Sequence, residues 1–197
     1  MKLSRFFLIC FCLHSIFYFI SFSHSDYLDT KHPNIARAGD FFQYFNSGYC
    51  LYLAKYNQDD QGVKSYFKSF LLNTVVTHSL KRSLNNVYVQ GDRLGQRPYG
   101  GNLDFPSGHT SHAFNAAWYV KKRYGFKQSI PLLFTASFVG FSRVYTNHHT
   151  MAGMGFGILT GIITAEISTR VFDSSADSVI SINSDGRSHA IIYRFLL

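Results

Sequence analysis

Pro106-Ser107-Gly108-His109-Thr110-Ser111, running on unbroken to Arg123-Tyr124-Gly125, is the stretch on which the fold turns. Ser107 or Thr110 opens a helix here, because a side-chain hydroxyl at the N-cap satisfies an amide that has no partner inside the helix. Gly125 ends the helix just past its last turn, and Lys121, Lys122 and Arg123 complement the negative end of its dipole. The opening also sets a serine, a glycine and a histidine at a helix N-terminus, where free N–H groups favour an anion. Further on, Ser142-Arg143-x5-His149 supplies an arginine and a second histidine, and Arg97-Pro98 lies just upstream. Each piece alone is weak. Their order and spacing together describe a grip on a phosphoryl group with two histidines beside it.

Outward from this helix the pattern stays helical. Residues 26–39 are a polar lead-in containing Pro33, and Asp40 reads as the cap of an aromatic-rich helix over 41–56. A turn over 57–62 follows, from which Asp59 or Asp60 starts the next helix. Over 63–84 the apolar residues recur every three or four, which aligns Thr74, His78 and Lys81 on one stripe. Residues 85–104 form a long loop with four glycines, Arg93, Arg97 and Pro98, and loops of that length are often functional. Ser129-Ile130-Pro131 opens a further helix with the proline in its first turn, carrying Ser142 and Arg143 at its far end. A small-residue helix occupies 151–169. In the tail, Asp185-Gly186 between β-branched runs is a hairpin signal. The expectation is an all-α protein, a helical bundle with a small C-terminal β-hairpin, divided as 1–25, 26–175 and 176–197.

Lys2 and Arg5 precede a nearly wholly apolar run over 6–22, and Ser23-His24-Ser25 offers the small residues that a signal peptidase reads. A cleaved signal peptide and an uncleaved N-terminal anchor are both open. Either one carries the rest of the chain to the outer side of the membrane, the periplasm in a bacterium. Cleavage would remove two of the 19 basic residues and none of the 11 acidic ones, leaving a net charge of +6 where the whole chain has +8. It would also leave Cys50 as the one cysteine, a small buried hydrophobe with no disulfide partner. The basic charge points to anionic partners, and without long Lys/Arg clusters a nucleic-acid surface is the weaker reading, so no nucleic acid is expected as partner. With 46% apolar and only 15% charged residues, the composition favours a lipid-linked phosphate ester and a membrane surface as partners.

Phosphoryl transfer asks for positioning and for positive charge around three oxygens. Arg97 and Arg143 offer planar forks, Lys81 a point charge, and Ser107, Gly108 and His109 the amides of a helix start. One histidine must attack phosphorus and the other must protonate the leaving oxygen.

These residues resemble the type 2 phosphatidic acid phosphatase superfamily, which includes bacterial class A acid phosphatases, lipid phosphatases and vanadium haloperoxidases. Its pattern reads Lys-x6-Arg-Pro, then Pro-Ser-Gly-His, then Ser-Arg-x5-His-x3-Asp. The resemblance implies His149 as the nucleophile that becomes phosphohistidine. It implies His109 as the general acid, and Lys81, Arg97, Ser107, Gly108 and Arg143 as the phosphate cradle. It further implies a metal-independent phosphatase, with no cofactor and with vanadate as an inhibitor. A phosphotransferase, an impaired anion-binding or membrane-associated scaffold and a haloperoxidase are the alternatives.

Two departures stand out. Lys81 lies farther from Arg97 than the pattern has it, so either the loop bulges out and Lys81 still points inward, or Arg93 serves instead. The carboxylate expected at position 153, which in the family holds the nucleophilic histidine in its attacking tautomer, is Gly153. Asp104, His148 or a backbone carbonyl are the candidates to stand in. On this basis Gly153→Asp is expected to raise turnover about tenfold. His78 and His112 read as packing residues, and no further ligand with the right spacing joins His109, His148 and His149 in a metal site.

Overall fold

Among the described residues five helices follow one another, all but the second and third joined by short connections: α1 (Pro33–Tyr56), α2 (Asp60–Leu84), α3 (Gly108–Tyr124), α4 (Phe126–Tyr145) and α5 (Met151–Ser168). The structure, a computed structural model, describes residues 32–172 and the strand segments Ser181–Ser184 and His189–Ile192. The leader expected over 1–25 lies outside the described residues. In the tail, β3 (Ser181–Ser184) and β4 (His189–Ile192) pair antiparallel with Ser181 opposite Ile192, which is the expected hairpin pairing.

The helix starts follow local chemistry. Asp59 caps α2 by accepting from the Gly62 amide at 2.7 Å. Gly125, at φ 101°, is the whole connection between α3 and α4. Because this glycine takes a left-handed conformation at no steric cost, α4 begins at once, at Phe126. Pro131 therefore lies inside the helix, not in its first turn as the sequence suggests. A similar correction applies to α1. Pro33 suits the first turn, where an N–H would have no partner, so the helix starts there and runs through Asp40. Asp40 is a buried mid-helix carboxylate and not a cap.

Helix α3 is the hub and packs against the other four. Its Ala113, Ala116, Ala117, Tyr119 and Val120 are fully buried, together with Leu132, Ala136 and Val139 of α4. Helix α5 reaches α3 through glycines one turn apart. A Cβ on Gly157 would stand 2.7 Å from the Ser107 carbonyl, and one on Gly161 would stand 2.3 Å from that of Ser111. Between α2, α3 and α5 the interior is polar. Thr164 donates to Asn73 (3.0 Å), and Asn115 donates to Ser69 (2.9 Å) and Thr164 (3.1 Å).

One end of the bundle is bolted by charge. Arg123 grips Asp59 through Nε (2.5 Å) and a terminal nitrogen (2.6 Å), and Tyr124 donates to the same carboxylate at 2.9 Å. At the opposite end α1, α3 and α5 begin while α2 and α4 finish, and the segment from 85 to 107 folds over it. That segment is not a plain loop. It holds a two-residue ribbon, β1 (Tyr88–Val89) against β2 (Asp92–Arg93), closed by Leu94 N–H donating to the Val87 carbonyl at 2.9 Å.

Candidate active site

The ribbon takes up the extra residues between Lys81 and Arg97. Asn85, just past α2, accepts from the Leu103 amide at 3.0 Å, which folds the far end of the segment back onto the helix. Lys81 is buried in the last turn of α2 and donates to the Leu103 carbonyl at 2.6 Å. Its stem lies beside Gly108, where a Cβ would come 3.5 Å from the Lys81 Cε. Burial, then the charge of Arg97, press the Lys81 pKa down to about 7. Arg97 donates to the Tyr99 hydroxyl at 2.8 Å, while its Nε is buried without a hydrogen-bond partner among the described residues. Arg93 points elsewhere: Gln96 (2.7 Å) and Asn102 (2.6 Å) hold it in the ribbon, so it does not replace Lys81.

Ser107 is the N-cap of α3, fully buried, and its amide donates to the Gly153 carbonyl at 2.8 Å. That bond joins the starts of α3 and α5. The Ser107 carbonyl takes the Ser111 amide, so the amides of Gly108, His109 and Thr110 are the orphan donors of this helix start.

Arg143, in the last turn of α4, is 1% exposed. Its Nε donates to Ser142 Oγ (3.2 Å), one terminal nitrogen lies 2.9 Å from Asp40 Oδ1, and the other donates to the Ala36 carbonyl. The same Asp40 oxygen lies 3.0 Å from His109 Nε2. One carboxylate of α1 thus touches both the arginine and the histidine. Gly39 makes this approach work, because a Cβ there would fall 2.0 Å from Ser142 Oγ. Asp40 is the site residue that sequence reasoning missed. Its signal is an acidic residue at the edge of an aromatic run, which reads equally well as a cap.

His149 follows α4 in a tight turn, with its amide donating to the Arg143 carbonyl at 3.1 Å. Its Nδ1–H donates to Asp104 Oδ1 at 2.9 Å. Since that nitrogen carries the proton, Nε2 holds the lone pair, and it has no hydrogen-bond partner among the described residues. Burial pushes the His149 imidazole well below the ordinary histidine range, with Lys81 and Arg97 adding to the effect, so the ring is neutral at neutral pH. Burial alone would raise the Asp104 carboxyl, but hydrogen bonds from His149 and Thr150 hold it below the usual carboxylate range. His148 bonds to Thr146 Oγ1 (2.8 Å) and packs edge-on against Tyr99, leaving it no role at His149 Nδ1. Burial, then the charge of Arg143, press its pKa down to about 4. His112 is a packing residue: its Nδ1 donates to the Gly108 carbonyl (2.8 Å), Nε2 lies 3.0 Å from Thr74 Oγ1, and the ring meets Phe70.

The arrangement thus offers a neutral imidazole with its lone pair exposed to the site, a second histidine beside a carboxylate, three cationic side chains and a helix start. The sequence model of the PAP2 superfamily matches residues 62–176. The lipid A 1-phosphatase of Helicobacter pylori strain 26695 is 34% identical over 112 residues, 57% of this chain and 59% of that protein. The lipid A 4'-phosphatase of Helicobacter pylori strain J99 is 31% identical over 105 residues, 52% of this chain and 53% of that one. The chain thus spans a little over half the length of these curated relatives. The crystal structure of Aquifex aeolicus LpxE superposes with a TM-score of 0.51 at 27% identity, over 70% of this chain and 87% of that one.

Proposed function

Since the chain belongs to the PAP2 superfamily, we propose that it is an exported phosphatase that removes a phosphate monoester from a lipid, working through a phosphohistidine on His149. The observation that carries this reading is the His149 ring, whose Nδ1–H is held by Asp104 while Nε2 is left for phosphorus. Nε2 attacks in line as the ester bond to the leaving oxygen breaks, and His109 gives that oxygen a proton. Then His109 takes a proton from water, the water attacks the phosphohistidine, and His149 is regenerated as phosphate leaves. Lys81, Arg97, Arg143 and the amides at the start of α3 meet the charge on the equatorial oxygens, so the sequence of steps calls on no metal.

The lipid-linked substrate is supported by the relatives' names and by the outer surface of the bundle. Phe41, Phe45, Tyr52 and Tyr56 of α1, Ile130, Phe134, Phe141 and Tyr145 of α4, and Leu159, Ile163 and Ile167 of α5 are all exposed, Phe134 to 78%. Meanwhile Asn46, Asn73, Thr77 and Asn115 are fully buried. An exposed apolar flank, with polar side chains buried between closely packed helices beside the apolar core, suits a protein whose flank faces lipid. A site at the end of such a bundle meets a phosphate at headgroup level. Export to the periplasm belongs to the same reading and rests on the basic and apolar start of the chain.

The test is phosphate release in EDTA from a phosphorylated lipid A disaccharide, phosphatidic acid, an isoprenyl diphosphate and a soluble chromogenic monoester. Release from at least one lipid is expected, with vanadate inhibiting more tightly than phosphate because it takes the five-coordinate shape of the transition state. No release from any of them, or release that requires added lipid or alcohol acceptor, overturns the hydrolase.

A further inference from the structure

We propose that Asp104 is the positioning carboxylate of His149, supplied from the loop ahead of α3, and that Asp104 and Gly153 form one exchanged pair in which the glycine vacates the space the carboxylate fills. This rests on the phosphatase reading for its kinetic consequences but not for its structural ones.

The geometry is close on every side of Asp104, which is 1% exposed. One oxygen, Oδ1, accepts from His149 Nδ1 (2.9 Å) and from the Thr150 amide (3.0 Å). The other, Oδ2, accepts from Thr150 Oγ1 at 2.5 Å. Thr150 is the N-cap of α5 and takes the Gly153 amide at 3.0 Å with that same hydroxyl oxygen. The carboxylate is therefore wired into a helix start, where the dipole favours negative charge. From the other direction the Asp104 amide donates to the Gly95 carbonyl at 3.1 Å, which holds its backbone in the folded segment. A carboxylate with fixed backbone and both oxygens occupied has one orientation, and it gives His149 one tautomer.

Gly153 is the other half. A Cβ built there would come 2.8 Å from Asp104 Oδ2, 3.2 Å from its Cγ and 3.1 Å from its carbonyl oxygen. Its nearest neighbours are thus all atoms of Asp104. Any side chain at 153 competes with Asp104 for one space, and an aspartate there would set two carboxylates against each other in a buried site. Hence Gly153→Asp in the otherwise natural chain is expected to lower turnover, which reverses the sign of the expectation drawn from sequence. The barrier to the exchange is mutual, and trimming residue 104 should lift it.

The experiment compares the wild type with Asp104→Asn, Asp104→Ala, Gly153→Asp and the double variant Asp104→Ala/Gly153→Asp in the full chain. It measures kcat and KM for phosphate release, together with nitrogen-15 histidine NMR of His149. Asp104→Asn should lower kcat by on the order of 10³-fold or more, with little change in KM, since the imidazole loses its enforced tautomer. Gly153→Asp alone should be impaired, and the double variant should be at least about tenfold faster than Asp104→Ala, a change of roughly 1.4 kcal/mol in barrier. The NMR should show His149 protonated on Nδ1 in the wild type and a mixture of tautomers in Asp104→Asn. Wild-type kcat and an unchanged His149 signal in Asp104→Asn would overturn the proposal. So would an active Gly153→Asp protein paired with a folded double variant no faster than Asp104→Ala. Should the double variant fail to fold, Asp104→Asn decides. A wild type that releases no phosphate ends the phosphatase reading, while the NMR, which needs no substrate, still decides the role of Asp104.

Discussion

The two ends of the bundle are each built around buried carboxylates, and they use them in opposite ways. At one end Asp59 caps α2 and is gripped by Arg123 and Tyr124, so every acceptor has its donor. Arg123 is completed by the Arg170 carbonyl at 2.9 Å. At the other end Asp104 and Asp40 hold His149, His109 and Arg143 in place, yet the Arg97 Nε is buried without a partner among the described residues, and the His149 ring is held through Nδ1, on the side away from Nε2. A closed set of partners contributes rigidity and has no capacity left for a ligand. An open set carries the cost of leaving polar atoms unpaired, and a bound phosphoryl group would remove that cost.

The comparison breaks most visibly if the open end is emptied. His149→Ala should cut turnover by on the order of 10⁴-fold or more, because no other group supplies the nucleophile. The melting temperature should fall less than at the closed end, because Asp104 keeps both Thr150 donors when the ring is lost, and paired rate and melting measurements check both halves. The closed end should behave in reverse. Asp59→Ala leaves Arg123 buried without its partner and removes a helix cap, and should cost about 3–5 kcal/mol of stability. The kcat per folded molecule should be unchanged, as read by denaturant titration beside active-site-normalised rates.

Between the two ends, Gly161→Ala should destabilise by about 1–3 kcal/mol. The added methyl would meet the Ser111 carbonyl and the Asn115 amide, and backbone has little freedom to yield. The same change at Gly155, where a Cβ meets nothing within 4 Å, is the control and should be neutral or slightly stabilising. The smallest effect concerns pH. Burial holds His148 down to about 4 and His149 also well below its usual value. In the unfolded chain both titrate near 6.5. Between about 6.5 and 4 the unfolded state therefore binds protons that the native state refuses, and stability rises with pH across that window. The slope is at most about 1.4 kcal/mol per pH unit for each histidine. Unfolding free energies at several pH values, with His148→Gln flattening the slope, test the sign.

Much of this was legible because local rules and the motifs agree. The start and stop of α3, the period over α2 and the glycine-rich α5 all lie where composition puts them, although the Ser107 hydroxyl accepts from Thr110 Oγ1 and makes no cap bond to an amide. Pro106 to His109 and Ser142 to His149 converge on one end of the bundle. What escaped depends on contacts between residues far apart in the chain. Asp40 reads as a cap because nothing local reveals that α1 continues back to Pro33 and passes beside Arg143. The resemblance already puts Lys81 ahead of Arg93; what only the fold shows is the ribbon that takes up the intervening residues. Asp104 was one of three candidates, and only the fold brings it to a histidine 45 residues on. The reading as an impaired scaffold drew its force from Gly153, and the Asp104–His149 hydrogen bond removes that force.

The central claim is that His149 Nε2 is the atom that takes the phosphoryl group. Rapid acid-free quenching of wild-type protein with a radiolabelled lipid phosphate, followed by peptide mapping, tests it most directly. An acid-labile, base-stable label on His149, absent in His149→Ala, is the predicted result. Label on another residue, or full turnover with no labelled protein under conditions that trap a phosphohistidine standard, would contradict it.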